Sequence, residues 1–382
     1  MFPKGFRIAG IKAGFKKWDK KDLGIIEVPG GAVSAGIFTS NTFCAWPVLH
    51  SKKVIQTRRA ALLLANSGQA NAGTGEKGRR LIRRICGEIG RQWAVTEKEI
   101  LFASTGVIGS LPDYGKIKSG LARLKKALDL KPLDYRSFVE SIMTTDTRPK
   151  FEFFEGKGFS IFGCVKGSGM IEPRMATFLG FILTDFKADG RYLQRALALA
   201  AAPSFNALSV DGETSTNDSL FLLSSGLGKG TKKEFEKGLE GLSLSLARKV
   251  VADGEGVTKV ILFHLREGRS EAELDRLARH LASSPLIKTA VHGEDPNWGR
   301  ILCRLGNFSG AYDVNKTVIR IGPFTLFRKG APGAFSAERV RKYLGRKEIE
   351  ITISLGAGRT EKKFLTGDLS QEYVKINAHY TS

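Results

Sequence analysis

The amino-acid sequence predicts a two-lobed α/β protein of the α+β kind, and three observations carry that prediction. Its 382 residues suit about two domains. Over the first two thirds, short apolar runs bounded by glycines alternate with segments of helical spacing. From Thr317 onward strand-like runs dominate, IRIGPFTLF, EIEITISLG and EYVKINAHY, with a helix at Ala337–Leu344 between them.

Taken in order, residues 1–60 break at glycines into FRIAGIKAGF, LGIIEVP, GAVSAGIFTS and AWPVLHS, which read as hairpin-like strands. Ala60–Asn66 (AALLLAN) reads as a buried strand and Lys77–Trp93 as an amphipathic helix. The strand-like ILFAS at 100–104 runs into a loop, Thr105–Gly109. Helices are expected from Tyr114 to Leu128 and from Tyr135 to about Met143, followed by a polar, extended Thr144-Thr145-Asp146-Thr147 held straight ahead of Arg148-Pro149. FEFFEG and GFSIFGCV form a hairpin that delivers the chain to Lys166. Gly167–Pro173 cannot hold regular structure, whereas FLGFIL, apolar on both faces, is a buried strand that Thr177 opens. Gly190–Pro203, 234–252 and 271–283 read as helices. Between them lie a polar loop at Ser209–Ser219 (SVDGETSTNDS), the turn Asp253-Gly254-Glu255-Gly256 and the strand VTKVILFHL. HGEDPNWGRIL at 292–302 is a turn followed by the start of a strand or helix.

Composition narrows the function classes. With 42% apolar and 26% charged residues the chain is globular, and its apolar runs fall short of the ~18 residues a membrane helix needs. The first residues carry no continuous apolar stretch of the secretory kind, so a cytoplasmic location is expected. Cys44, Cys86, Cys164 and Cys303 are widely spaced and imply neither a zinc motif nor a disulfide framework. A formal charge of +22 points toward polyanions, nucleic acid included. The basic residues come as scattered pairs such as Arg79-Arg80, Arg83-Arg84 and Lys125-Lys126, at spacings that place them on solvated helix faces. Gly73, Gly75 and Gly78 spell G-x-G-x-x-G, but the strand ahead of them ends too early for a dinucleotide turn, which leaves a glycine-rich connection.

The stretch Lys166–Asp185 carries the chemistry. A threonine at the head of a buried strand is ordinarily just a β-branched strand residue. If the bond before it is cut, however, its α-amine, titrating near 7.7–8.0, becomes a base beside its own hydroxyl. Thr177 offers that option, with small Ala176 on its upstream side. Thr105-Gly106 is either a turn or a pair able to present donors to an oxyanion. Glu255, between two glycines, is either a turn carboxylate or a ligand for a cationic substrate group. The oxygen-rich loop at 209–219 suits a site wall or a helix cap.

Taken together, PKGFRIAGIKAGFK, NSGQANAGTGEKG, STGVIG, TTDT, KGSGMIEPRMATFLGFILTD, SVDGETSTNDS, DGEGVTK, GEDPNWGRI and YVKINAHYTS resemble the glutamate N-acetyltransferase/ornithine acetyltransferase family of arginine biosynthesis, in the family's order over essentially the whole chain. The resemblance implies an N-terminal-threonine-nucleophile fold that cuts itself between Ala176 and Thr177 into an α chain, residues 1–176, and a β chain, residues 177–382. It implies an acyltransferase that moves acetyl from N-acetylornithine to Thr177 and then to glutamate, without cofactor or metal, as a heterotetramer of two α and two β chains. Thr177 is then the nucleophile, Thr105 and Gly106 the oxyanion pair, and Thr144, Lys166, Thr177, Glu255, Asn377 and Ser382 the substrate contacts. Lys166 would hold an α-carboxylate and Glu255 an ammonium. Acetyl-CoA stands as an alternative donor, and no CoA-specific motif is visible. The sequence departs from the family at Arg174 and Gln69, where asparagine is usual, and at Gly73, where cysteine is common. The segment after TTDT is a few residues short, so Thr145 and Thr147 compete with Thr144. Two other readings use the same residues differently: an N-terminal-nucleophile aminopeptidase or amidohydrolase on a similar fold, and a basic nucleic-acid-binding protein.

Overall fold

The strands sort into two sheets, and the strand that follows Thr177 is buried along its whole length, as is the earlier strand it pairs with. The computed structural model describes residues 1–17, 19–172 and 178–379. Its chain begins with β1 (Arg7–Ile11), β2 (Leu23–Phe38), α1 (Trp46–Gln56), β3 (Arg59–Gln69), α2 (Gly75–Trp93) and β4 (Ile100–Val107). Next come α3 (Tyr114–Leu130), α4 (Tyr135–Ile142), β5 (Lys150–Gly156), β6 (Phe159–Lys166), β7 (Leu179–Phe186) and α5 (Gly190–Ala201). After β8 (Leu208–Ser209) and β9 (Ser219–Gly228), the chain runs through α6 (Lys232–Ala252), β10 (Val260–Gly268), α7 (Glu271–Ala282), α8 (Pro285–His292) and α9 (Trp298–Gly306). The last part holds β11 (Val318–Ile321), β12 (Phe324–Arg328), β13 (Ala331–Pro332), α10 (Ala337–Leu344), β14 (Glu348–Ser354), β15 (Thr360–Gly367) and α11 (Gln371–His379).

The first sheet runs β4-β3-β2-β9-β7-β6-β5, with β1 beside β2; the second runs β13-β12-β11-β14-β10-β15-β8. Every residue of β7 is buried, because helices cover both faces of its sheet, and that is why its sequence lacks alternation. On one face Ile182 and Phe186 pack with Leu193 of α5 and with Phe235 and Leu239 of α6. On the other, Phe181 and Leu183 pack with Phe138 and Ile142 of α4. The second sheet has its own core, in which Phe263, Ile351 and Phe364 meet Leu274, Leu277 and Leu281 of α7 and Leu344 of α10. The two-lobed α/β expectation therefore holds. A two-residue pairing, Leu208 and Ser209 against Leu365 and Thr366, forms the edge of the second sheet, and Leu208 and Leu365 belong to the same core cluster as Ile182 and Phe235 beside the first.

Several local expectations are corrected. AWPVLHS is not a strand but the start of α1, where Pro47 occupies the first turn, a position whose N–H has no helical partner to lose. Residues 372–379 of EYVKINAHY belong to the helix α11, which has no buried residue; Tyr380 lies outside the described residues. HGEDPNWGRIL resolves as the end of α8, a turn and α9. Thr105 to Val107 extend β4, paired in parallel with Ser67 to Gln69, where a loop was expected. Among the described residues no helix is long and apolar enough to cross a membrane. The basic pairs of α2 and α3 named above are exposed, as their spacing predicts.

Candidate functional site

A cavity of about 170 Å³ opens where the ends of β4 and β6 and the start of β7 meet the loop 211–218, the turn after α6 and the helix α11. Six residues singled out from the sequence line it together: Thr105, Gly106, Thr144, Lys166, Glu255 and Asn377. Thr145 lines it too, whereas the Thr147 hydroxyl donates to Asp253. Thr177, Ala176, Arg174 and Ser382 lie outside the described residues; Phe178, the residue bonded to Thr177, lines the cavity.

Each wall has a local cause. Gly106 faces Gly68 across the parallel β3–β4 pair. Its φ is +123°, and a Cβ there would stand 2.2 Å from the Gly68 carbonyl carbon, so only glycine allows the two backbones this close. Asn217 secures the same strand end, its side-chain amide donating to Ala70 O (2.6 Å) and Ser104 O (2.9 Å). Lys166, at the end of β6, donates from Nζ to Thr105 Oγ1 at 3.1 Å. That bond occupies a lone pair of the hydroxyl and leaves its proton free to be donated elsewhere.

Beneath Lys166 lies a buried ion cluster. Lys150, 1% exposed, donates to Asp146 Oδ1 at 2.6 Å and to Asp253. Asp146 in turn accepts the backbone N–H of Gly167 and of Thr144, both at 2.8 Å. Asp253 accepts Thr147 N–H at 3.2 Å, and its backbone carbonyl accepts Ser168 Oγ at 2.6 Å. Ser168 O then takes the N–H of Glu255 at 2.9 Å. A single lysine thus joins the Thr144 segment, the Lys166–Ser168 segment and the Glu255 turn. Burial alone would raise the Asp146 pKa, yet Lys150 and then Lys166 outweigh it and hold the carboxyl at about 2. Burial pulls the Lys166 ammonium below the usual lysine range, against the opposing pull of Asp146 and Asp218.

Glu255 Oε2 accepts from Asn377 Nδ2 at 3.0 Å. The helix that carries Asn377 is seated by its first turn: Gly256 has φ +68°, and a Cβ on it would lie 2.3 Å from Tyr373 N. Ser370 Oγ donates to Gly256 O at 2.6 Å. On the opposite wall Asp211 accepts the N–H groups of Met170 (2.6 Å) and Ile171 (2.8 Å), which fixes the segment leading toward Thr177.

Sequence reasoning did not single out Asp211, Asn217, Asp218 or Tyr373, which also line the cavity, nor the Lys150 cluster. Asp218 is 3% exposed and its Oδ2 has no hydrogen-bond partner. Burial lifts its pKa well above the ordinary carboxylate range, against the pull of Lys166. The only available signal was the density of short oxygen-bearing side chains at 209–219, which marked a wall without ranking its members. As for cofactors, Gly78 of the G-x-G-x-x-G stretch sits inside α2, where a Cβ would be 2.6 Å from Trp46 Cδ1. Helix packing accounts for it. Among the described residues, the one convergence of three metal-ligating groups lies away from this cavity, at His50, Cys86 and Glu97.

Comparison with known proteins gives one family. The profile described as ArgJ family matches residues 7–382. The chain is 40% identical over 395 residues to the arginine biosynthesis bifunctional protein ArgJ of Dehalococcoides mccartyi, covering 100% of this chain and 96% of that protein. It is 38% identical over 390 residues to the glutamate N-acetyltransferase of Methanopyrus kandleri, covering 99% of each. Among solved structures it resembles the arginine biosynthesis bifunctional protein ArgJ of Bacillus halodurans, with a TM-score of 0.51 at 35% identity over 53% of this chain and 100% of that one.

Proposed function

The chain belongs to the ArgJ family, and on that premise we propose that it moves the acetyl group of N-acetylornithine to glutamate through an acetyl ester on Thr177. The observation that carries this reading is the pairing, around one cavity, of a buried lysine and a carboxylate, Lys166 and Glu255, with Thr105 and Gly106 beside them. A free amino acid brings both a carboxylate and, once deacetylated, an ammonium, and each needs an opposite charge when it leaves water. Lys166 answers the first and Glu255, oriented by Asn377, the second; Thr144 and Ser382 complete the substrate contacts.

The route begins with maturation. The Thr177 hydroxyl attacks the Ala176 carbonyl, the acyl group shifts from nitrogen to oxygen, and water hydrolyses the ester, freeing the Thr177 α-amine. That amine then takes the hydroxyl proton as Thr177 attacks the acetyl carbonyl of N-acetylornithine. Negative charge gathers on the carbonyl oxygen, and the Thr105 hydroxyl and the Gly106 N–H donate to it. Collapse expels ornithine with the proton returned to its nitrogen. Glutamate then attacks the ester through the reverse sequence, and N-acetylglutamate leaves. All the chemistry is supplied by side chains and one amine. Acetyl-CoA would enter as a second donor at the same ester, and two α and two β pieces form the working assembly in the cytoplasm.

Denaturing mass analysis tests the maturation: purified protein should consist of residues 1–176 and 177–382, while Thr177→Ala should stay whole and inactive. Incubation with N-acetylornithine and glutamate should yield N-acetylglutamate in place of free acetate. A product balance of acetate alone would favour an amidohydrolase, and transfer by an uncut chain at full rate would overturn the N-terminal-threonine mechanism.

A further inference from the structure

At the other end of β4, roughly 16 Å along the strand from Thr105, three electron-pair donors face one another. His50 stands on α1, Cys86 in the middle of α2, and Glu97 in the turn between α2 and β4; one ligand atom from each lies within 4.8 Å of the other two. The imidazole is already oriented. Its Nε2 is 3.0 Å from Ile100 O, and because a carbonyl only accepts, Nε2 must carry the proton. Nδ1 is therefore the bare nitrogen, and it stands 3.8 Å from Glu97 Oε1. The Phe102 ring meets the imidazole edge to face, with centroids 5.1 Å apart, and burial holds the His50 pKa below its ordinary value, in the neutral, ligating form. A lone pair and a carboxylate this close repel unless something electropositive is shared between them.

We propose that His50 Nδ1, Cys86 Sγ and the Glu97 carboxylate form a binding site for a divalent transition metal of the zinc class, which would staple α1, α2 and the turn that leads into β4. Imidazole, thiolate and carboxylate together suit zinc. A histidine whose second nitrogen donates to a backbone carbonyl is the arrangement that fixes tautomer and ring orientation in such sites. With metal–ligand distances of about 2.0–2.3 Å, tetrahedral ligands stand roughly 3.3–3.8 Å apart, so the present spacing must close by about 1 Å. The Glu97 side chain is 56% exposed and can swing that far without disturbing the core. Three protein ligands leave a fourth position for water, reached from the side of Glu97. Burial, and after it Glu97, raises the Cys86 thiol to about 12, so the thiol is protonated at neutral pH. Forming the sulfur–metal bond breaks the S–H bond and releases one proton to the buffer. The site is separate from the transfer cavity, and its metal takes no part in acetyl transfer.

The test uses the full-length protein, stripped with a chelator and titrated with Co²⁺, then Zn²⁺. One Co²⁺ per chain should bind with a near-ultraviolet thiolate charge-transfer band and a visible band of tetrahedral intensity. Zn²⁺ should displace both, and one proton should be released per metal. Cys86→Ser should abolish the charge-transfer band, whereas Cys303→Ser, at an exposed thiol, should leave it intact. Glu97→Gln should weaken binding by about tenfold or more and remove the metal-dependent rise in melting temperature, with acetyl transfer unchanged. Should Cys86→Ser fail to fold, Glu97→Gln and His50→Gln decide. Absence of stoichiometric Co²⁺ binding, or a charge-transfer band that survives Cys86→Ser, or binding unchanged in Glu97→Gln and His50→Gln, would overturn the site.

Discussion

Thr105→Ala separates the proposed oxyanion pair from the cavity that surrounds it. The substitution removes a hydroxyl whose oxygen accepts from Lys166 at 3.1 Å and whose proton is thereby left for the substrate. Losing one oxyanion donor costs about 2.7–4 kcal/mol, a drop of roughly 100- to 1,000-fold in kcat. A second, separable cost is structural: Lys166, 8% exposed, loses an acceptor, worth about 1–3 kcal/mol if nothing replaces it. Water entering the cavity offsets part of that, so the melting temperature should fall by only a few degrees. The assay is initial-rate transfer from N-acetylornithine to glutamate, with rates normalised to the amount of the 177–382 piece, so that slower maturation is not mistaken for slower transfer. KM should change little, because the donor acts on charge that develops after binding. Thr105→Ser, which keeps the hydroxyl, should recover most of the rate. A kcat within tenfold of wild type in cleaved Thr105→Ala protein, or a defect confined to KM, would refute the oxyanion assignment.

Two buried carboxyls give predictions of opposite sign. Asp146 has a folded pKa of about 2, depressed from 3.8, so its stabilisation is present above pH ~4 and is lost as the pH falls toward 2. The difference corresponds to about 2–3 kcal/mol. Urea unfolding of wild type should weaken across that window. Asp146→Asn should lack that step and lose about 3–5 kcal/mol at pH 7 by leaving Lys150 short of a partner; a variant within about 1 kcal/mol of wild type at pH 7 would show that the cluster does not hold the site. Asp218 is raised instead, so the folded state carries no charge penalty from it below pH ~4. Stability then falls as the pH climbs from there toward the folded pKa, by about 1.4 kcal/mol for each pH step of one. Asp218→Asn should therefore melt higher than wild type at pH 7.5 and no higher at pH 4. A lower melting temperature for the variant at pH 7.5 would contradict the burial account.

What could be read from the chain, and what could not, follows from how local each signal is. The helix at Ala337–Leu344 coincides with α10, since periodicity and a preceding serine cap are both confined to a few residues. β7 was legible because a strand covered on both faces must be apolar throughout. α11 was misread because a helix that docks through one glycine and two polar contacts has no apolar stripe to announce it. At the site, Lys166, Glu255 and Thr105 stood out as charged or hydroxyl residues among glycines. The Lys150–Asp253 pair spans 103 residues, and no spacing rule links positions that only the fold brings together. Asp218 was hidden for the opposite reason, as one oxygen-bearing side chain among many in its loop.

The position of the proposed cut bears on why the fold would survive it. Strand β6, before the bond, pairs with β7, after it, from Ile161 against Thr184 to Lys166 against Leu179. β9, also after the bond, lies between β7 and β2, pairing with β2 from Val33 against Ser224 to Phe38 against Ser219. The two strands of the second piece thus lie side by side in the middle of one sheet, with strands of the first piece on both flanks, and the same core holds Ile161 and Val165 from one piece and Ile182, Phe235 and Leu246 from the other. Separating the pieces would expose that core and break two ladders at once, which costs far more than a single peptide bond contributes to holding a folded chain together. A scission that frees an amine at Thr177 can therefore be tolerated where it falls. Phe178 O still accepts Ser219 N–H at 3.0 Å, and Leu179 keeps its partners on both sides, so the new terminus would be anchored from its next residue onward at the wall that already carries Lys166 and Thr105.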